Sequence, residues 1–428
     1  MDSIQFASPS EIKAFQEERL RETIAYVAKY SKFYIRMFHD SGINPDDIRT
    51  LDDLRKLPLT TKDDLQQFND DFLCVPHDQI ADYVTTSGTL GNPVSFGLTE
   101  ADLKRLAYNE WLSFSTAGCS SSDVMQLMVT LDRRFMAGFA YYLGARQLGM
   151  GVCRVGNGIP QLQWDTINRI KPTVGMCVPS FLMKLIDFAQ KNNIDYHNSS
   201  IRKFICIGEA LRTPDGKFTT LGQKINELWP EVQLFSTYAS TEMQSSFTDC
   251  HYFQGGHAQP ELIIVEFLDD NGNPVPDGQV GEVTITTIGI QGVPLVRFRT
   301  GDLVNHFSQP CPCGRNTVRL GSVVGRKGQM IKYKGTTLYP PAIFDILDDI
   351  KGVDNYVVEV FTNSLGTDDI TVRVGTSQPS DAFAKLIKDV FRAKVRVAPN
   401  VQFENPDYIN KIMFPPTSRK AVKFFDLR

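Results

Sequence analysis

The sequence predicts an α/β fold: a large N-terminal domain with mostly parallel sheets and a β-rich subdomain, followed by a small, mobile α+β C-terminal domain. Between about residues 100 and 240, helix-like stretches alternate with short apolar or β-branched runs, as in parallel sheets joined by helices. After residue 260, two strand-like runs flank Asn-Gly and Pro-Asp-Gly, which are turn sequences that join antiparallel strands. The last hundred residues carry both strand-like and helix-like segments, enough for a small domain.

The N-terminal part to about residue 75 is predicted to be helical. Residues 12–38 carry apolar side chains at mixed spacings of three and four, with charges between them. In the stretch LPLTTKDDL, Thr60 or Thr61 can cap a helix, because an acidic residue follows three positions later. Residues 99–118 then predict a helix and residues 123–129 a buried strand.

Residues 261–287 predict an antiparallel pair of strands around the turn sequences. Beyond them, residues 354–362 and 368–376 predict strands, and residues 341–350 and 380–395 predict helices. We therefore expect a large domain over residues 1–326 and a small lid domain over residues 327–428.

Composition limits the classes of partner. The chain has 428 residues, 42% of them hydrophobic, and a net charge of −4 from 45 basic and 49 acidic residues, which gives no electrostatic reason to expect nucleic acid or an anionic membrane. No apolar run approaches the length of a membrane span, and the first twenty residues lack the features of a signal peptide. We expect a cytoplasmic enzyme with a small-molecule substrate, and a homodimer is a further expectation.

The run TTSGTLGNP, residues 85–93, combines hydroxyl side chains with glycines. It lacks the Lys-Ser/Thr ending of a P-loop, so two interpretations stay open: an ordinary surface turn, or a phosphate-binding loop of another type. In the second interpretation, backbone N–H groups and hydroxyls hold an anion. The residues concerned are Thr85, Thr86, Ser87, Gly88, Thr89 and Gly91.

Five further short runs follow in a fixed order: IGEA (207–210), TYASTE (237–242), RFRTGDL (297–303), GRKGQMIKYKGTTLYP (325–340) and SRKAVKFFDLR (418–428). Together with residues 85–93, they resemble the adenylate-forming enzymes, the acyl-CoA synthetase and luciferase superfamily. The resemblance is strongest to the phenylacetate-CoA ligase branch and covers nearly the whole chain. It implies that a carboxylate attacks the α-phosphate of ATP to give an acyl-AMP and pyrophosphate, and that coenzyme A then displaces AMP.

The resemblance also implies roles for single residues. It places Thr241 at the α-phosphate and Glu242 on Mg²⁺, a hard cation that prefers oxygen ligands. Asp302 accepts the ribose hydroxyls, which suits a carboxylate with two acceptor oxygens. The remaining residues expected at the nucleotide are Glu209, Ala210, Tyr238, Ala239, Ser240 and Arg326.

Lys420 is the residue expected to accelerate adenylation, because the resemblance aligns it with a lysine that bridges the acyl carboxylate and the α-phosphate. The family usually has glycine before this lysine, whereas this chain has Arg419, so Arg419 and Lys423 remain rivals. The family's hinge position is occupied by Gly328. Leu90 and Asn92 also depart from the pattern and remove one donor and one charge from the loop.

A second group of residues suggests a metal. Cys250, His257, Cys311 and Cys313 supply three thiolates and an imidazole, a set suited to a structural zinc ion, with His251 as a competing imidazole. The alternative is that these cysteines are small buried apolar residues.

The acyl pocket is expected along residues 133–149, including Phe135, and near Gly208 and Tyr238. The aromatic and small residues there suit an aryl or arylacetic acid, although aromatics at helical spacing also form cores. Two other functions stay open: adenylation with an acceptor other than coenzyme A, and a nucleotide-binding protein that has lost catalysis.

Overall fold

The computed structural model describes residues 4–86, 94–363, 367–415 and 421–428. The chain divides into two compact units: Met1–Lys217 with Ile225–Ser322, and Phe218–Lys224 with Val323–Arg428. The sequence did not indicate that residues 218–224 pack with the second unit. The domain boundary after residue 326 stays a prediction.

Helices in the N-terminal part are capped by their own sequence. The α-helices here are α1 (Pro9–Tyr30), α2 (Lys32–Ser41) and α3 (Lys62–Gln67). Ser8 and Glu11 form a reciprocal capping box at α1, and Thr61 and Asp64 form another at α3. The predicted helix start after LPLT is therefore confirmed, with Thr61 as the cap. Short 3₁₀ helices cover Ile4–Phe6, Pro45–Asp47, Leu51–Lys56, Asn69–Phe72, His77–Gln79 and Lys327–Gln329.

An antiparallel pair, β1 (Ile80–Thr85) and β2 (Ser95–Thr99), precedes the main sheet. Parallel strands then alternate with helices. The elements in order are α4 (Glu100–Thr116), β3 (Val124–Leu127), α5 (Met136–Leu148), β4 (Gly151–Arg154), α6 (Pro160–Ile170), β5 (Val174–Cys177), α7 (Pro179–Lys191), β6 (Lys203–Ile207), α8 (Thr220–Leu228) and β7 (Gln233–Ser240). The strands lie in the order β7-β6-β5-β3-β4. The predicted α/β alternation is confirmed.

The same sheet continues with mostly antiparallel pairings. Its further strands are β8 (Ser245–Thr248), β9 (Gly256–His257), β10 (Ile263–Leu268), β11 (Val280–Thr287), β12 (Phe298–Phe307) and β13 (Arg319–Arg326). In the described part of the chain the whole sheet has 11 strands, ordered β10-β11-β12-β13-β9-β8-β7-β6-β5-β3-β4. The antiparallel pairing after residue 260 was predicted, but its continuity with the parallel strands was not.

The second unit is a small α+β structure, as predicted. Its elements are β14 (Ile331–Tyr333), β15 (Thr336–Leu338), α9 (Pro340–Asp348), β16 (Asn355–Thr362), β17 (Asp368–Gly375), α10 (Asp381–Val395), β18 (Asn400–Glu404), α11 (Pro406–Met413) and β19 (Phe424–Asp426). Four of these strands form a sheet in the order β18-β17-β16-β19. Valines and isoleucines of β16 and β17 pack against α9 and α10 in its core. No helix in the described ranges of either unit is both long and apolar enough to cross a bilayer.

Helices α4 and α5 pack so closely that the contact requires a glycine. A Cβ atom added at Gly144 of α5 would lie 2.2 Å from the Cβ of Glu110 of α4. The Glu110 carboxylate is buried beside this contact and accepts one hydrogen bond, from Asn109 Nδ2 at 2.9 Å. Burial raises the pKa of Glu110 to about 8, although the bond from Asn109 opposes the shift.

This pKa predicts how the stability of the chain depends on pH. The pKa of Glu110 is about 4.5 in the unfolded state, so between pH 4.5 and about 8 the folded state holds a proton that the unfolded state has released. The contribution of this proton to the free energy of unfolding is complete below pH 4.5 and is lost as the pH rises through about 8. Glu110→Gln removes the titration. The unmodified chain loses this stabilisation as the pH rises, and the variant does not. From pH 5 to pH 9 we therefore expect the free energy of unfolding of the variant to rise by about 2–5 kcal/mol relative to that of the unmodified chain.

Urea denaturation at both pH values measures this difference. Glu100→Gln, at the exposed start of the same helix, is the control and should follow the unmodified chain. Parallel stability profiles for the Glu110 variant and the unmodified chain would contradict the prediction.

Candidate active site

The carboxyl ends of the parallel strands meet at one edge of the sheet. The chain runs from β3 outwards to β4 and then returns to the other side of β3 with β5, so the strand order reverses next to β3. Ligands of α/β sheets bind outside the carboxyl ends of the strands at such a reversal. Phe135 follows β3, Gly208 follows β6, and Ala239 and Ser240 end β7. The topology therefore places these predicted residues on the same edge.

Glu209 has a structural contact that the sequence did not reveal. Its carboxylate accepts hydrogen bonds from the backbone N–H and the hydroxyl of Ser180, at 2.8 and 2.7 Å. Ser180 lies in the first turn of α7, whose N-cap residue Val178 has no side-chain hydrogen bond of its own. The carboxylate thus caps α7 and meets the positive end of its dipole. The Glu209 carboxylate therefore has a structural partner in the first turn of α7.

Tyr238 and Asp302 were each expected at the nucleotide, and the structure joins them by a hydrogen bond. The Tyr238 hydroxyl donates to Asp302 Oδ2 at 2.8 Å, although 64 residues separate the two. Asp302 is only 3% exposed, and its backbone N–H donates to Thr300 Oγ1 at 3.1 Å. The Tyr238 ring also stacks on Phe247, with the ring centres 5.8 Å apart. The runs TYASTE and RFRTGDL, which the sequence could only list in order, are therefore in direct contact.

Thr241 and Glu242 lie in the turn that joins β7 to β8. Ser240 pairs with Ser245, so residues 241–244 form the tip of an antiparallel hairpin. Both Thr241 and Glu242 are partly exposed, and the Glu242 carboxylate has no hydrogen-bond or ion-pair partner within the described ranges. Gln244 closes the turn with a left-handed backbone, φ +46°. The turn leaves the Glu242 carboxylate available to a ligand.

The first two residues of the run TTSGTLGNP are described. Thr85 donates its backbone N–H to the carbonyl of Arg134 at 3.1 Å, which links β1 to the segment that carries Phe135. The Thr86 N–H donates to the Val94 carbonyl, and the Thr86 hydroxyl accepts from the Val94 N–H, both at 3.0 Å. The other predicted residues of this run, Ser87, Gly88, Thr89 and Gly91, lie outside the described residues, as does Lys420.

Lys423, a rival of Lys420, packs inside the second unit. Its ammonium lies 3.3 Å from the Tyr356 hydroxyl and 3.8 Å from Asp348 Oδ1. It also lies 4.8 Å from the centre of the Tyr356 ring and 5.8 Å from that of Phe344. These contacts give Lys423 a structural role. Arg326, the last predicted nucleotide residue, is exposed at the end of β13.

The four predicted metal ligands come together. The ligand atoms of Cys250, His257, Cys311 and Cys313 all lie within 4.8 Å of one another. The sulfurs of Cys250 and Cys311 are 3.7 Å apart, and Cys313 Sγ is 3.5 Å from His257 Nε2. Tetrahedral zinc bonds of about 2.3 Å to sulfur and 2.1 Å to nitrogen would separate two sulfurs by about 3.8 Å, and sulfur from nitrogen by about 3.6 Å. These two separations match tetrahedral coordination.

The surroundings of His257 suit a metal ligand. Its Nδ1 is 2.9 Å from Thr317 Oγ1, which fixes the ring and leaves Nε2 directed at the cysteines. Burial, aided by Arg315 and Arg319, lowers the pKa of His257 to about 3, so the ring is neutral at physiological pH. His251, the competing imidazole, is exposed, lies against the Tyr252 ring at a tilt of 41° and is not part of the cluster.

Sequence reasoning missed a row of polar residues on the buried face of α4. Asp102, Arg105, Asn109 and Ser113 are all buried and hydrogen-bonded to other parts of the first unit. Their spacing of three and four, otherwise typical of an apolar helix face, was the signal available in the sequence.

Comparison with known proteins gives consistent matches. The model of the family described as "AMP-binding enzyme" matches residues 39–291. The phenylacetate-coenzyme A ligase of Thermus thermophilus is 30% identical over 375 residues, covering 86% of this chain and 82% of that protein. The enzyme of the same name from Escherichia coli is 27% identical over 444 residues, covering 100% of this chain and 98% of that protein.

Among solved structures, a 2-hydroxyisobutyryl-CoA ligase in the postadenylation state, in complex with R3-HIB-AMP, has the same fold. It superimposes with a TM-score of 0.85, at 21% identity, covering 99% of this chain and 91% of that one.

The hydrogen bond between Tyr238 and Asp302 can be tested by stability alone. Tyr238→Phe removes one donor from a buried carboxylate, so we expect the free energy of unfolding to fall by about 1–2 kcal/mol. Chemical denaturation at neutral pH measures the change. Tyr83→Phe, which breaks a hydrogen bond to His77 at the surface, should stay within about 0.5 kcal/mol of the unmodified chain. Equal losses in the two variants would show that the Tyr238 hydroxyl does not stabilise Asp302.

Proposed function

This chain belongs to the AMP-binding enzymes and, within them, to the phenylacetate-CoA ligases, and we propose an aryl or arylacetic acid as its substrate. The chain activates this acid with ATP and transfers the acyl group to coenzyme A. The products are the acyl-CoA, AMP and pyrophosphate. The observation that carries the proposal is the contact of Tyr238 with Asp302. Asp302 lies beyond the region matched by the family model, so this contact adds to the match.

The first step needs a carboxylate to approach a polyphosphate of the same charge. Residues near the α-phosphate must therefore offset that repulsion before the bond forms. Thr241 can donate its hydroxyl to an α-phosphate oxygen. The Glu242 carboxylate, which has no partner among the described residues, can hold Mg²⁺, which neutralises phosphate charge when bound. Asp302 accepts the ribose hydroxyls, and the bond from Tyr238 orients its carboxylate. The residues 85–91 named above hold the β- and γ-phosphates.

The second step breaks the bond between the acyl carbon and the AMP oxygen. The thiolate of coenzyme A attacks the acyl carbon, and AMP leaves with the oxygen that linked the two groups. The aryl or arylacetic substrate is supported by the relatives' name and by the aromatic residues near Phe135 and Tyr238. A cytoplasmic location and a homodimer stay predictions.

We also propose that Cys250, His257, Cys311 and Cys313 hold a structural zinc ion. Four protein ligands leave no open position for water, so the ion would join two loops and take no part in the reaction. The loop after Cys313 also holds the N-terminal segment: Arg315 Nε donates to Gln5 Oε1 at 2.9 Å, and Asn316 Nδ2 donates to the carbonyl of Ala7 at 2.9 Å. Loss of the ion should therefore loosen residues 5–7 as well.

Zinc analysis tests this second proposal. We expect about one zinc ion per chain, and loss of the ion in Cys313→Ser, with the free energy of unfolding lowered by about 4 kcal/mol or more. Cys153→Ser, at a half-buried cysteine outside the cluster, should keep its zinc. Fully folded protein without zinc would rule the site out.

The two half-reactions test the role of Lys420. If Lys420 bridges the acyl carboxylate and the α-phosphate, Lys420→Ala should slow acyl-AMP formation about 100-fold or more, the scale of losing one preorganised charge contact. Thioester formation from supplied acyl-AMP should survive, because no carboxylate attacks phosphorus in that step. Pyrophosphate release and thioester formation, measured separately over a panel of aryl and arylacetic acids, give the two rates.

Lys423→Met is the matched comparison. Because Lys423 packs against Asp348 and Tyr356, its loss should lower stability and leave acyl-AMP formation within about threefold of the unmodified chain. A larger loss of adenylation in Lys423→Met than in Lys420→Ala would reverse the assignment.

Pyrophosphate release without thioester formation would indicate an acceptor other than coenzyme A, and no release with any acid would overturn the proposed function.

A further inference from the structure

Helix α4 buries a row of polar side chains in addition to its apolar residues. Asp102 accepts the backbone N–H groups of Gln291 and Gly292, at 2.8 and 2.9 Å. Farther along the helix, Arg105, Asn109 and Ser113 all point at strand β8 or at the residue before it. A buried polar group costs free energy unless it is fully hydrogen-bonded, so this face must match its partner closely.

The match follows from geometry. Arg105 bonds the carbonyl of Gln244, Asn109 bonds Ser245 and Ser246, and Ser113 bonds Thr248. Each step of four residues along a helix advances about 6 Å, and two residues of a strand advance about 6.7 Å. The helix and the strand therefore stay in register over three contacts. Strand β8 is held along its length, starting from the turn that carries Thr241 and Glu242.

Arg105 makes the contact nearest to that turn. Its guanidinium donates to three backbone carbonyls: Gln244 at 2.6 Å, Leu262 at 2.5 Å and Ile288 at 2.7 Å. Burial lowers the pKa of Arg105 to about 10, while Asp102 opposes the shift, so the side chain keeps its charge at neutral pH. A charged donor gives a stronger bond than a neutral one, and the planar fork fixes all three carbonyls in direction.

The peptide that Arg105 holds is strained. Gln244 has φ +46°, a conformation that residues other than glycine rarely adopt and that persists only where the surroundings enforce it. The Gln244 side chain is fully buried and has no hydrogen-bond partner within the described ranges, so it does not stabilise the turn by itself. The enforcing contacts are the bond from Arg105 to the Gln244 carbonyl and the bonds that Ser245 Oγ and the Ser246 N–H donate to Asn109 Oδ1.

We propose that Arg105 is a positioning residue for adenylation: it fixes the left-handed peptide at Gln244 and thereby the direction of the Glu242 carboxylate two residues earlier. This rests on the proposed function, in which Glu242 holds Mg²⁺. Arg105 touches no substrate, so its effect passes through the turn. Adenylation depends on that geometry, whereas thioester formation from a finished acyl-AMP does not need the metal.

The test compares Arg105→Lys with Ser113→Ala. Lysine keeps the charge but lacks the planar guanidinium that bonds the three carbonyls together, whereas Ser113→Ala removes a contact at the far end of the same helix face. In Arg105→Lys, we expect the Mg²⁺ concentration for half-maximal pyrophosphate release to rise at least fivefold and the rate to fall about 10- to 100-fold. Thioester formation from supplied acyl-AMP should stay within threefold. Ser113→Ala should leave the Mg²⁺ dependence unchanged.

Deuterium exchange gives a readout that does not depend on activity. Backbone amides of residues 241–248 should exchange about tenfold faster in Arg105→Lys, while those of β6 stay within twofold. If Arg105→Lys fails to fold, Asn109→Ala takes its place, because it frees the next two residues of the same strand. Unchanged exchange in residues 241–248, or an equal loss in both half-reactions with an unchanged Mg²⁺ dependence, would overturn the proposal.

The two proposals fail in different ways. If the unmodified chain releases no pyrophosphate with any acid, the proposed function is wrong, and the exchange measurement alone then decides whether Arg105 fixes the turn. If the unmodified chain is active and Arg105→Lys retains its Mg²⁺ dependence, the proposed function stands and the role of Arg105 is refuted.

Discussion

The hydrogen bond of 2.8 Å between the Tyr238 hydroxyl and the Asp302 carboxylate ties the parallel half of the sheet to its antiparallel half. Tyr238 lies on β7, the last parallel strand, and Asp302 lies on β12, which is separated from β7 by three strands. A buried carboxylate needs donors, and tyrosine provides one without adding a charge. The bond therefore gives the buried Asp302 carboxylate a neutral donor from the parallel half of the sheet.

Polar contacts, whose burial costs free energy, hold the segments around this pair. Glu209 caps α7 and fixes the start of residues 208–210, and Arg105 holds the turn after Glu242. In both cases a charged side chain bonds backbone groups of a neighbouring element, which fixes loops that apolar packing alone would leave adjustable. The strained peptide at Gln244 is consistent with this, because strain persists where contacts over-determine the backbone and is common at functional sites.

Much of the fold followed from local sequence. The capping box of Thr61 and Asp64, the alternation of helices and strands, and the antiparallel pair after residue 260 depend on neighbouring residues and were predicted. The three cysteines and the histidine that the sequence grouped also lie close together, and they could be grouped because few residue types bind metals. The contacts of Glu209 with Ser180 and of Arg105 with three carbonyls join distant segments, and side-chain types alone do not specify such partners. Resemblance assigned Glu209 to the nucleotide site, but only the structure shows that its carboxylate caps a helix.

In the first step of the proposed reaction, a carboxylate oxygen attacks the α-phosphate of ATP. A carboxylic acid labelled with oxygen-18 in both carboxylate oxygens tests it most directly, when turned over with ATP and coenzyme A and followed by mass spectrometry of the nucleotide. Our account predicts AMP that carries one labelled oxygen, because the bond broken in the second step joins that oxygen to the acyl carbon. Unlabelled AMP, or label found in inorganic phosphate together with ADP, would contradict it.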